Sequence, residues 1–221
     1  MTSRFSGFPV EAFEFYDALT AENTKAWWAA HKDEYDALVR TPMTDLLAEL
    51  EGEFGAGHVF RPYRDVRFAK DKTPYKDHQG AFVGAEDSIG WYVQVSRTGL
   101  LVAGGWYAAE GRQVQRYRET VDSPLVVELE RALQVANKAG LETGGDVMKT
   151  RPRGIAEDHP HLDLIRHRTL TVERQHPVEP WVSTRSALTR VRKEWKAMTP
   201  LVEWLADHVG PADDGIPPEP R

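Results

Sequence analysis

Trp91–Tyr92–Val93–Gln94–Val95–Ser96, then Arg97–Thr98–Gly99, then Leu100–Leu101–Val102–Ala103–Gly104–Gly105–Trp106–Tyr107 decides the fold. The first run alternates in polarity at period two, the second is almost wholly apolar, and a short glycine-bearing turn joins them. That pattern predicts a β-hairpin in the middle of an antiparallel sheet. Upstream, Gly80–Ala81–Phe82–Val83 reads as a further strand, and Asp65–Val66–Arg67–Phe68–Ala69 alternates as one would. Downstream, Val147–Met148–Lys149 reads as an edge strand and Leu170–Thr171–Val172–Glu173 as another.

Helical periods flank this block. Pro9 opens an amphipathic stretch through Leu19, and Asn23 is placed to cap a helix carrying Trp27, Trp28, Tyr35, Leu38 and Val39. Pro42 near the front of Met43–Leu50 marks a third helix. Further helices are predicted over 110–121, over 124–139 up to Gly140, as a short piece over 161–168, and over 184–208, where Pro200 should break or restart the run. The expected fold class is α+β: an antiparallel sheet of roughly five or six strands covered, mainly on one face, by N-terminal and C-terminal helices. We expect a single domain over 1–209 and a disordered tail over 210–221, rich in Pro, Asp and Gly.

Composition narrows the function classes. The 221 residues are 41% hydrophobic, enough for one good core. There is no cysteine, which excludes disulfides, zinc–thiolate sites, iron–sulfur clusters and thiol nucleophiles. The opening Met1–Pro9 lacks the apolar run of a signal peptide, and no window approaches the roughly 18 apolar residues of a membrane span, so a cytoplasmic protein without membrane contact is expected. A net charge of −6 argues against a generic nucleic-acid binder.

Against that acidic background, Arg61–His78 (R-P-Y-R-D-V-R-F-A-K-D-K-T-P-Y-K-D-H) holds six Lys or Arg and three Asp. Aromatic residues and a turn proline are interleaved with the charges, which suits an anion site. The candidate ligand-binding residues are Arg64, Arg67, Lys70, Lys72, Tyr75, Lys76 and His78, with Arg151 and Arg153 of the second basic run Lys149–Gly154. Arg166, His167 and Arg168 would form a third wall if the basic clusters converge. The bland reading is a salt network in which Arg64, Arg67 and the three Asp pair with one another.

Chemistry beyond binding has weaker signals. Asp65, Asp71 and His78 are the candidates for moving a proton. No G-x-S-x-G elbow, P-loop or G-x-G-x-x-G is present. His159 and His161, with His167 and His176, have metal-like spacing, but the arginines around them would repel a cation. No metal and no cofactor is expected. The pairs Trp27/Trp28, Trp91/Tyr92 and Trp106/Tyr107 read as core, with one member of each free to reach a pocket.

Several segments together resemble one family, the bacterial and fungal domain-of-unknown-function family 2461. They are Phe5–Pro9, Ala21–Trp28, Arg64–His78, Gly104–Tyr107, Lys149–Gly154 and His159–Arg168, and the likeness runs from about Phe5 to about Leu205. The most specific is Arg64–Asp–Val–Arg–Phe–Ala–Lys–Asp–Lys–Thr–Pro–Tyr–Lys76. The pattern does not require a histidine at 161, and the resemblance carries no activity with it. The leading expectation is thus a binding domain for a small phosphate- or carboxylate-bearing anion. A nucleic-acid-binding module using the same basic strip comes second, and a purely structural charge network third. The sequence sets neither a reaction nor an oligomeric state.

Overall fold

In the computed structural model, residues 5–67, 70–86 and 88–212 are described. Six strands form one antiparallel sheet with helices on both sides of it. They are β1 (Gly57–Val59), β2 (His78–Glu86), β3 (Ile89–Ser96), β4 (Gly99–Trp106), β5 (Glu142–Gly144) and β6 (Leu170–His176), in the order β1-β2-β3-β4-β6-β5. The β3–β4 hairpin sits at the centre, as its alternation predicts. Coverage of one face only is not what forms. Gln79 to Val83 of β2 are buried in succession, which requires neighbours above and below the strand.

The helices are α1 (Val10–Ala21), α2 (Lys25–Tyr35), α3 (Thr41–Phe54), α4 (Gly111–Val121), α5 (Val126–Lys138), α6 (Leu162–Ile165) and α7 (Ser186–His208). Pro42 stands in the first turn of α3, as expected, while the break expected at Pro200 is absent. A π-helical turn, Asp36–Arg40, carries α2 straight into α3, with the Thr41 amide donating to the Asp36 carbonyl. The wider turn takes in Pro42, which has no amide hydrogen to give and would crowd an α-helical carbonyl behind it. Helix α7 likewise runs through Pro200 without a break. Met198, Leu201, Val202 and Leu205 are all fully buried around it, so packing holds the helix where propensity would end it.

The chain divides into two compact units. One comprises the chain up to Val83 with Tyr92–Val102 and Arg174–Glu194; the other comprises Gly84–Trp91, Ala103–Glu173 and the chain from Trp195. The first unit packs Phe13, Phe15, Tyr16 and Leu19 of α1 with Trp28 and Tyr35 of α2 and Leu46 and Leu50 of α3. Arg185 closes it, donating to both carboxylate oxygens of Glu49 at 2.8 and 2.6 Å. Gly99 turns the hairpin at φ 116°, where a Cβ would lie 2.1 Å from the His176 carbonyl oxygen.

The second unit packs Trp106, Tyr117, Leu129 and Leu201. Here the Tyr117 hydroxyl donates to the Leu164 carbonyl at 3.0 Å and the Trp91 indole to the Trp195 carbonyl at 3.1 Å. Gly105, at φ 131°, lets β4 approach Leu170 closely: a Cβ would meet its carbonyl oxygen at 2.4 Å. The edge strand expected at 147–149 forms instead at 142–144, leaving Val147 a single bridge to His167. Of the tail expected over 210–221, residues 213–221 lie outside those described.

Burial holds four tyrosines protonated. Desolvation pushes the Tyr35 phenol up to about 12 and raises Tyr16, Tyr92 and Tyr117 above the ordinary value as well. The native chain therefore keeps these protons where the unfolded chain, titrating near 10, has released them, and stability falls as pH rises through that window. In an alkaline titration, tyrosinate absorbance from these rings should appear together with loss of circular dichroism. Smooth ionisation near pH 10 with the fold intact would contradict it.

Candidate functional site

The basic segment Arg61–His78 links β1 to β2 within the first unit. Its two arms run alongside each other: the Arg64 amide donates to the Pro74 carbonyl at 2.9 Å, the Lys76 amide to Pro62 at 2.8 Å, and Tyr63 bridges Tyr75. Residues 64–67 and 70–74 thus lie in the connection at the end of an extended hairpin. The expected strand over 65–69 does not form over Asp65–Arg67, and Phe68 and Ala69 lie outside the described residues. Asn23 does not cap α2; the Thr24 hydroxyl accepts from the Trp27 amide at 3.1 Å and does so instead. The Asn23 amide pairs with Tyr75 as a strand would, accepting from its backbone N–H at 3.1 Å and donating to its carbonyl at 3.0 Å. Trp28 then stacks on the Tyr75 ring at 4.2 Å and 9°.

Most charges of the loop are spent within it. Arg64 donates to Asp71 and, at 2.5 Å, to Thr73, whose amide and hydroxyl also donate to Asp71 at 2.9 and 3.0 Å. Those bonds, the Thr73 amide first, hold the Asp71 carboxyl below its ordinary range. Arg67 clasps Asp65 with Nε at 3.0 Å and Nη2 at 2.6 Å, which lowers the Asp65 carboxyl. Lys72 donates to the Val66 carbonyl at 2.8 Å. Carboxylates so held favour ion pairing over proton transfer. Lys70 is exposed; His78 faces the Asp77 carboxylate through Nδ1 at 2.8 Å. Lys76 lies over the Phe60 ring at 5.2 Å, and burial, with repulsion from Arg61, lowers its ammonium pKa.

Arg151, Arg153, Arg166 and Arg168 belong to the second unit. There the later basic clusters do come together, because Arg166 donates to the Met148 carbonyl at 2.8 Å and to that of Lys149 at 3.2 Å. Arg151 donates to the Ile155 carbonyl and to Glu157 at 3.3 Å, and Arg153 is exposed. His159 pairs with Asp122 at 3.0 Å and His161 with Glu130 at 3.1 Å. Among the described residues no group of three or more histidine or carboxylate side chains is arranged to hold a metal ion.

A concave feature of the first unit lies beside the loop. It is a cleft of about 260 Å³ lined by Trp28, Lys32, Tyr35, Asp36 and Arg40 from α2 and the π turn, and by 59–63. Asp36 accepts from Lys32 at 2.6 Å and faces Arg40 at 3.8 Å, while Arg61 has no ion pair among the described residues. The Asp36 contact raises the Lys32 pKa. Charge density along the sequence passes over Lys32, Asp36 and Arg40, because the run after Arg61 is far denser. Their i, i+4, i+8 spacing, which puts all three on one helical face, was the available signal.

A family model matches residues 11–204, spanning both the loop and the cleft. The chain belongs to the family of conserved hypothetical proteins DUF2461. No curated protein and no solved structure matches it. In this DUF2461 chain no described helix is long and apolar enough to cross a membrane.

The Asn23 clamp gives the site a direct test. Asn23→Ala leaves the Tyr75 amide and carbonyl without their partners, so unfolding free energy from urea titration should drop by about 1–3 kcal/mol. Amide exchange at Tyr75 and Lys76 should accelerate. A change within the scatter of ordinary surface substitutions would show that the clamp is dispensable.

Proposed function

We propose that the protein binds a small anionic metabolite, bearing a phosphate or carboxylate, in the cleft between α2 and residues 59–63. One observation carries this: the cleft is lined by three cations, Lys32, Arg40 and Arg61, and by one carboxylate, Asp36, which pairs with the first two, in a hollow with an aromatic floor. The surplus of two positive charges, set against low-dielectric walls, focuses an attractive field on an anion. Lys76, whose ammonium pKa is lowered first by burial and then by the nearby Arg61, adds a further positive group beside this floor. Tyr75 and Lys76, both binding candidates by sequence, adjoin this floor. Arg64, Arg67 and Lys72 shape the neighbouring loop, and Lys70 and His78 are secondary members of the proposal; Arg151 and Arg153 belong to the second unit and are not among the residues lining the cleft.

The internal pairs Arg64–Asp71 and Arg67–Asp65 favour a second, structural reading for those two arginines. A nucleic-acid interface would need many phosphate contacts, and its affinity would fall steeply with salt.

Calorimetric titration with inorganic phosphate and with phenyl phosphate at fixed ionic strength tests the proposal. Binding with a shallow salt response, weakened roughly tenfold or more in Arg61→Gln, is expected from loss of one charge-assisted contact. Absence of binding by either anion, or unchanged affinity in Arg61→Gln, would overturn it.

A further inference from the structure

The cleft is divided in its chemistry. Its charged side chains stand with Lys32, Asp36, Arg40 and Arg61, while Trp28, Tyr35, Phe60 and Tyr63 supply rings. Two of these rings join Tyr75 in one cluster: Trp28 lies parallel to Tyr75 at 4.2 Å, and Tyr63 is tilted by 42° at 5.2 Å from Tyr75. Trp28 and Tyr75 are buried, but Tyr63 remains 49% exposed, a large aromatic surface packed on one side and open on the other. Lys32 lines the same cleft as Tyr63. An open ring within reach of an ammonium group is a place where a flat, electron-rich acid gains from stacking and charge together.

Resting on the anion-binding reading above, we propose that the ligand is a single-ring aromatic acid, an aryl phosphate or aryl carboxylate, whose ring lies on Tyr63 and whose acid group meets Arg61 and Lys32. Size supports one ring. Ligand pockets span roughly 300–1,000 Å³, and about 260 Å³ falls just below that range. A dinucleotide or a long peptide would leave most of itself outside. An aliphatic phosphate would satisfy the cations and leave the Tyr63 face in water.

Phenyl phosphate and cyclohexyl phosphate separate the two contributions, because they match in charge and closely in size and differ in having a π face. Both are titrated calorimetrically into the full chain and into Tyr63→Leu and Tyr63→Phe. The wild type should prefer phenyl phosphate by roughly two- to tenfold, the range a stacked aromatic pair contributes beyond buried area. Tyr63→Phe should keep that preference. Tyr63→Leu should bind the two ligands alike, with cyclohexyl phosphate unchanged from wild type. Equal affinities in the wild type overturn the aromatic assignment and leave the anion site standing, as does a preference that survives in Tyr63→Leu. Failure of both ligands to bind the wild type overturns the anion site and this inference with it.

Discussion

The placement of Tyr75 governs the cleft and the long β1–β2 connection. Its backbone is held by both polar atoms of the Asn23 side chain, and its ring is pressed flat under Trp28. The Asn23 bonds join residues 52 positions apart, and with the Trp28 stack they fix one arm of the long β1–β2 connection against the N-terminal helices. The other arm follows through the Tyr63 bridge and the Arg64 and Lys76 amide bonds. Once both arms are set, residues 59–63 face α2, and the hollow between them is defined by backbone pairing more than by side-chain preference.

The positive charge of the region is used in two ways. Within the loop, each arginine has a carboxylate two or seven residues away, close enough in sequence for the pair to form with little loop-closure cost. Such exposed pairs add little stability, yet the Arg64–Asp71–Thr73 group gives the loop a defined shape. In the cleft, by contrast, one aspartate serves two cations and Arg61 stands apart. The same residue type is thus neutralised locally in one place and left in surplus in the next.

Much of the fold could be read from periodicity. The β3–β4 hairpin, the strand over 80–83, the late strand after 170 and the helices on either side follow from alternation and helical spacing, and the close approach at Gly105 from a glycine pair on a strand. Local signals misled where tertiary contacts competed with them. Asn23 is a good cap in isolation, but its neighbour Thr24 takes that role and frees it for a partner far along the chain. Pro200 announces a helix end that dense burial overrides, whereas Pro42 fronts its helix as expected, with a π turn joining that helix to the one before. The charge-rich segment drew the site to Arg64 and Arg67, whereas the cleft also depends on Lys32 and Arg40, contributed by a helix whose exposed face looks ordinary in sequence. Of the tryptophan–aromatic pairs, Trp28, Trp91 and Trp106 are buried, Trp27 and Tyr92 are half-buried, and Tyr107 is exposed.

The π turn at Asp36–Arg40 has a bearing on how this family can change. A π turn holds one residue more than an α turn, and each residue advances a helix by about 100°. Asp36 and Arg40 lie inside that widened turn, and Thr41–Phe54 continues beyond it with Met43, Leu46 and Leu50 in the core. The wide turn absorbs that extra residue, so the helix leaves it in nearly the phase it had on entering, and removing one residue here would restore regular winding without rotating the core-facing stretch. The bulge therefore alters how Asp36 and Arg40 are presented to the hollow while leaving the packing of Met43, Leu46 and Leu50 in register.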